Sequence, residues 1–273
     1  MWNEARTINR LANTLAVLAV LAMLAGGIYW LIQRPQFELQ AIEIEPAPNS
    51  TLHYVTPASI QNAIAGNLTG NFFTINLVDA QKVFEDAPWV RSASVRRIWP
   101  NAIRVSIEEQ QPLALWNESQ MLNTWGQVFT ANQGELDDDV VLPQFDGPEG
   151  KELLVVHRYA ELARWFAPLD VTVRKLSLSD RLAWQVTLSN GMTLALGRDP
   201  GADAPDPQGG IPGALPFAMR IQRFVQALPM ASQKIGDRAV THADLRYPNG
   251  FALTLAALPE NPQLKKKRSR HDP

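Results

Sequence analysis

The stretch SVRRIWPNAIRVSIEEQQPLALW, residues 94–116, carries the densest structural signal in the chain. Alternating apolar and polar residues mark a strand with one buried face. Val95, Arg97 and Trp99 fall on one side of the first run, Arg96 and Ile98 on the other. Pro100-Asn101 makes the turn, because proline presets φ and asparagine tolerates turn geometry. In the return run Ile103, Val105 and Ile107 alternate with Arg104, Ser106 and Glu108. Pro112 has no N–H to give to a ladder and so ends the hairpin. The arginines are expected to form its solvated side, the alternative being a basic docking face.

Upstream, Trp89-Val90 is a buried lead-in and Pro88 stops a helix. That helix opens on Asn76 as N-cap and buries Val78, Ala80, Val83, Phe84 and Ala87. A shorter helix opens on Thr56-Pro57 and runs to about Ala65, with Gly66 as its stop. Phe37 to Glu45 alternates as a strand. The order over residues 37–111 is therefore strand, helix, helix, strand, strand. Two helices then cover one face of a three-stranded sheet.

Further upstream, Leu11 to Ile32 holds no charged residue. As a helix it spans roughly 30 Å, the thickness of a bilayer core. Tyr29 and Trp30 sit where an aromatic belt forms, and Arg6 and Arg10 precede the run. The positive-inside rule keeps residues 1–10 cytoplasmic and exports the remainder of the chain. A cleaved signal peptide has a shorter apolar stretch, so an uncleaved membrane anchor is expected.

Downstream of Pro112 the chain reads as short strands at 113–117, 121–122 and 128–129, then an acidic loop at Asp137-Asp138-Asp139 prolonged by Pro143 and Gly147-Pro148. The acidic run lacks the spacing of a calcium loop and is read as a solvated turn. A helix is expected over Lys151–Ala167 with Val155, Tyr159, Leu162 and Phe166 on one stripe. Strands follow at 171–178, 183–189 and 193–196, the last two turned by Asn190-Gly191, a strong hairpin signal. Residues 199–216, rich in Pro, Gly and Asp, read as a disordered loop. Phe217–Leu228 reads as a helix with Phe217, Ile221, Phe224, Val225 and Leu228 on one stripe. A final hairpin pairs Val240–Tyr247 with Phe251–Leu258 across Pro248-Asn249-Gly250. Residues 261–273 form a basic tail, expected to be disordered.

No chemistry stands out. The chain of 273 residues has no cysteine and a formal net charge of −2, which removes thiol catalysis, disulfides and any global pull toward nucleic acid. His53, His157, His242 and His271 share no metal-ligand spacing. No serine sits in a nucleophile elbow, and Glu108 and Glu109 point to opposite faces of a strand. No enzyme, no cofactor, no metal, no small-molecule substrate and no nucleic-acid partner are expected.

The segment PWVRSASVRRIWPNAIRVSIEEQQPLALWN with MLNTWGQVF (residues 88–129), WQVTLSNGMTLALGR (184–198), RIQRFVQALP (220–229) and HADLRYPNGFAL (242–253) together resemble the FtsQ/DivIB family of bacterial cell-division proteins. The resemblance implies an α+β protein: a single N-terminal transmembrane helix (11–32), a POTRA domain of β-α-α-β-β order (37–111), then a mostly antiparallel β domain with flanking helices (112–260). It implies a single-pass type II protein of the bacterial inner membrane at the division septum, an essential non-catalytic divisome scaffold linking early and late division proteins. Its partners would be the periplasmic parts of FtsB and FtsL, and other divisome proteins. Binding would be by strand addition to the last strand, through Arg198, Arg246, Tyr247, Asn249, Gly250, Phe251, Leu253 and Leu255. Residues 251–258 hold no charge and no proline, and an unprotected edge of that kind needs a partner to cover it.

Two other readings compete. Another POTRA-bearing envelope translocation or assembly component would need repeated POTRA units and a membrane barrel, and residues 112–260 lack lipid-facing strands. A membrane-anchored envelope enzyme would need a polar cluster that the sequence does not offer. The length of the 199–216 loop and the basic tail depart from the family pattern.

Overall fold

The structure is a computed structural model and describes residues 2–48, 50–199, 216–236, 238–247 and 250–257, with side chains from residue 9 onward. It divides into two compact units, Met1–Gln110 with Asn132–Glu135, and Gln111–Ala131 with Leu136–Pro273. The expected loop within 199–216 and the basic tail lie outside the described residues, apart from Asp199 and Pro216.

The first unit begins with helix α1 (Trp2–Ile32), whose segment Asn9–Ile32 is long and apolar enough to cross a membrane. A short turn over Pro35–Phe37 comes next, so strand β1 (Ala41–Pro46) starts later than the alternation from Phe37 suggests. Pro35 fixes the backbone for a tight turn, and that local preference wins over the pattern. Helix α2 (Pro57–Ile64) opens on a reciprocal cap: Ser59 N–H donates to Thr56 Oγ1 at 3.1 Å and Thr56 N–H to Ser59 Oγ at 3.1 Å. Helix α3 (Leu77–Glu85) opens on Asn76, whose side chain accepts from Val78 N–H at 3.0 Å.

Strands β2 (Val90–Ile98) and β3 (Ala102–Glu109) form the expected hairpin around a cis Trp99–Pro100 peptide. The sheet order is β1-β3-β2, with β1 parallel to β3 and β2 antiparallel to it. Ile103, Val105 and Ile107 are fully buried against Ile60 and Phe84. Each such side chain contributes about 1.5–3 kcal/mol by leaving water. Arg104 pairs with Glu43 at 2.7 Å, Arg96 with Glu45 at 3.2 Å and Arg91 with Glu108 at 2.5 Å. The solvated face is therefore charge-balanced rather than basic. Arg97 departs from that face: it donates to the carbonyls of Phe72 and Ile75, each at 2.7 Å.

The second unit is one mixed sheet with two helices. Its strands are β4 (Pro112–Trp116), β5 (Gln120–Asn123), β6 (Val128–Phe129), β7 (Gln144–Asp146), β8 (Val173–Leu178), β9 (Ala183–Leu188), β10 (Thr193–Arg198), β11 (Val240–Asp244) and β12 (Ala252–Leu255). Among the described residues the order is β12-β11-β10-β9-β8-β7-β4-β5-β6. Most pairings are antiparallel; β4–β7, β7–β8 and β10–β11 are parallel. Strand β7 lies inside the stretch expected to be loop, where Phe145 is fully buried between β4 and β8.

Helix α4 (Glu152–Phe166) buries Val155, Leu162 and Phe166, as its stripe predicts, and helix α5 (Phe217–Ile235) buries Phe217, Ile221, Phe224 and Leu228. α5 continues through Pro229, beyond the stop expected at Leu228. Proline there forfeits one i→i−4 bond. The preceding turns are already held by their buried stripe, and the extra turns are mostly exposed. Gly126, at φ +78°, is needed where the β5–β6 turn meets α4, since a Cβ would lie 2.8 Å from Leu153 Cα.

Candidate functional site

The sheet of the second unit ends on β12, and among the described residues no strand pairs with its outer side. Ala252 and Thr254 are exposed while Leu253 and Leu255 are half-buried. Leu253 and Phe251 pack on the core, Phe251 edge-on to Phe224 at 5.2 Å. β12 runs antiparallel to β11, with Asp244 opposite Ala252 and Ala243 opposite Leu253.

The direction of the backbone groups is set by three bonds. Ala256 N–H donates to the Ala239 carbonyl at 2.8 Å, so residue 256 faces inward along the ladder. Thr241 Oγ1 donates to the Thr254 carbonyl at 3.1 Å, and Arg238 Nη2 to the Ala256 carbonyl at 3.0 Å. Successive residues of a strand turn their N–H and C=O to opposite sides. The even-numbered residues therefore face β11, and the N–H and C=O of Leu253 and Leu255 face outward. No charge or proline interrupts this row. Such an edge is a template for one more strand.

Around the end of β10 stands a group of arginines. β10 is parallel to β11, with Ala195 opposite Asp244. That register brings the end of β10 level with Arg246 and Tyr247. Arg246 grips Asp244 with both sides of its fork, Nε to Oδ1 at 2.9 Å and Nη2 to Oδ2 at 2.6 Å. The hydrogen bond from Arg246 is the main reason the Asp244 carboxyl titrates below its usual range, against an opposing push from burial. Its contribution is present above the ordinary aspartate pKa and lost as pH falls through the lowered value. Arg246 itself is mostly exposed and titrates above its usual value because of the same bond.

Arg220 donates from Nη2 to the Arg198 carbonyl at 2.8 Å, and burial lowers its pKa while Asp199 opposes that shift. Arg158, 7% exposed, is ion-paired with Asp199 and with Glu161 at 2.8 Å and lies over the Phe217 ring at 4.5 Å. Arg198 is exposed and makes no ion pair among the described residues.

Gly197 makes this crowding possible. It sits at φ +76° in a bulge of β10, and a Cβ there would lie 3.0 Å from Arg246 Cγ. Gly197→Ala is expected to cost about 1–2 kcal/mol from the left-handed backbone alone. It should also displace Arg246 from Asp244. Thermal unfolding checks the first effect. The second is read from the Asp244 pKa, which should return toward the ordinary aspartate value.

The sequence-predicted residues thus fall into two sets. Arg198 ends β10, two strands in from the edge, Arg246 and Tyr247 follow β11, and Gly250, Phe251, Leu253 and Leu255 belong to the edge segment itself. Asn249 lies outside the described residues. Asp244, Arg220 and Gly197 escaped the sequence reading. The Asp244/Arg246 spacing, two residues apart on one strand face, was the available signal for the first. Among the described residues no group of three or more metal-ligating side chains comes together.

Comparison with known proteins gives the family. Residues 114–246 match the model of the C-terminal region of cell division protein FtsQ/DivIB, and residues 49–110 match the FtsQ-type POTRA domain. The chain is 68% identical over 259 residues to cell division protein FtsQ of Bordetella pertussis, covering 95% of this chain and 94% of that one. It is 47% identical to cell division protein FtsQ of Burkholderia pseudomallei, covering 94% and 96%. It is 34% identical to the protein of the same name from Nitrosospira multiformis, covering 92% and 98%. With a membrane-length helix, a POTRA domain and a mixed-sheet domain in the order of its relatives, the chain belongs to the FtsQ/DivIB family of cell division proteins.

Proposed function

We propose that this protein is a non-catalytic scaffold of the divisome, linking early and late division proteins, and that it holds the periplasmic parts of FtsB and FtsL by adding a strand to β12. The observation that carries this reading is the outward-facing backbone of Leu253 and Leu255 on an uncharged edge. Arg198 stands at the end of β10, two strands in from that edge, with its guanidinium available for an acidic side chain on the partner, whereas Arg246 is already committed to Asp244. Tyr247, 55% exposed, gives the incoming segment an aromatic surface.

Helix α1 anchors the chain in the inner membrane, with residues 1–10 in the cytoplasm and the chain beyond α1 in the periplasm. The protein acts at the septum, as a single-pass member of its family would. Its work is recognition, and it takes no cofactor.

Photo-crosslinking in dividing cells tests the edge, with the probe in turn at Tyr247, Ala252 and Thr254, whose side chains are exposed. Adducts of FtsB size are expected at all three sites and not at Asp138. Cells that divide normally with the probe-bearing protein and give no adduct at 252 or 254 would show that something else covers the edge.

A further inference from the structure

The first unit is tied to the end of its membrane helix by several independent bonds. Asn71 Nδ2 donates to the Ile32 carbonyl, the last residue of α1, at 2.7 Å. Phe72 N–H donates to the Phe37 carbonyl at 2.8 Å, and Phe37 and Phe73 meet edge-on at 4.9 Å. Gln40 N–H donates to the Asn101 carbonyl at 3.0 Å, which brings the tip of the β2–β3 hairpin to the same end. Arg97 joins that hairpin to the 71–75 loop through the carbonyls of Phe72 and Ile75.

Two large aromatics project from this end. Phe73 is 45% exposed and Trp99, at the hairpin tip, 74%. The segments that carry them, residues 66–75 and 98–102, hold no charged side chain. The far end of β3 is different, closing on Glu108-Glu109. Aromatic rings among amides and hydroxyls, next to a helix exit already marked by Tyr29, Trp30 and Arg34, have the composition of the membrane–water interface. Arg34 lies over the Trp30 ring at 3.7 Å, at the level where headgroup phosphates begin.

We propose that this end of the first unit is a peripheral membrane surface: Phe73 and Trp99 enter the headgroup layer of the leaflet from which α1 emerges. The bilayer then holds the unit in a fixed attitude instead of letting it swing on its tether. This rests on the reading of α1 as a spanning helix. The occupant is the phospholipid surface, because the patch is bonded to the helix exit and cannot lie far from the lipid that surrounds it.

The chain has no native cysteine, so a single nitroxide can be placed by substitution. Three full-length proteins in phospholipid vesicles carry it at Val20→Cys, Asn101→Cys and Thr51→Cys. Collision rates with oxygen and with a water-soluble nickel complex are then compared. Position 20 should read as lipid-buried and position 51 as aqueous. Position 101 should be several-fold less accessible to nickel than 51. Adding Phe73→Ser and Trp99→Ser, both at exposed sites outside the core, should raise 101 to the value of 51. Equal nickel access at 101 and 51, with 20 still lipid-buried, would overturn the proposal alone. Nickel access at 20 would overturn the spanning helix and this surface with it. Protection of 101 that requires other division proteins to be present would assign the patch to a protein instead and overturn it too.

Discussion

On the strand-addition proposal, Leu253→Pro should weaken capture of the FtsB–FtsL pair roughly a hundredfold while leaving the protein folded. The argument is directional. Residue 253 turns its N–H away from β11, so proline there removes no bond of the native ladder. It removes the donor at the centre of the row offered to an added strand and puts a ring in its place. Proline is tolerated on an edge strand when its nitrogen faces outward. A lost central bond with an obstructing ring costs about 3 kcal/mol of binding, roughly a hundredfold in affinity. Leu253→Ala is the control for the half-buried side chain and should bind within a few-fold of the parent. Thr254→Pro reverses the geometry: its nitrogen faces β11, so it should damage the fold itself. Titration of the periplasmic FtsB–FtsL segment onto full-length protein, with unfolding measured alongside, separates these cases. Equal binding by Leu253→Pro and the parent would rule out strand addition at β12.

Glu109→Ala should be the most damaging loss of a charged side chain in the first unit. The carboxylate is 6% exposed, and it accepts from His53 N–H at 2.7 Å and from Tyr54 and Val55 N–H, each at 2.5 Å. Those donors belong to the segment that leads into α2, which has no ladder of its own to satisfy them. The last residue of β3 thereby fixes the entry of a helix far away in sequence. Charge-assisted bonds of this kind are worth about 1.5–3 kcal/mol each, and part of that returns when water reaches the freed donors. A net loss of about 3 kcal/mol is expected, read as a drop in the unfolding midpoint. Amide exchange should rise first at residues 53–55. Glu108→Ala, one residue away on the solvated face and paired with Arg91, should cost less than about 1 kcal/mol.

That contrast between neighbours shows what the sequence could and could not disclose. Alternation assigned Glu108 and Glu109 to opposite faces, and the structure agrees. It could not say what Glu109 meets on its side, because its partners are backbone groups from more than fifty positions earlier. Backbone donors leave no mark in a sequence. Caps were legible, since Thr56-Pro57 and Asn76 act within a few residues of themselves. The Ile103–Val105–Ile107 face was legible for the same reason. Strand β7 was not: three residues between prolines have no period, and only the flanking strands make them a strand. The length of α5 was not legible, because the turns past Leu228 are mostly exposed and extend no apolar stripe. The edge segment was readable through a resemblance. The direction of its free groups was not, because that depends on which side of β12 is taken by β11.

The parallel pairing of β10 with β11 has a consequence in time. The chain leaves β10, passes through α5, and returns to lay β11 beside the strand it left. β12 is then added outside β11. The proposed docking edge is therefore translated after every other described strand of its sheet. Synthesis proceeds at about 5–20 residues per second, and domains condense as units once their elements are available. A nascent chain can bury most of its core before it owns any surface for its partners. A copy cut by a protease between β11 and β12 keeps its first unit but loses the edge proposed to take the partner strand. Under the strand-addition proposal, competence to assemble is in this way conditional on translation of β12.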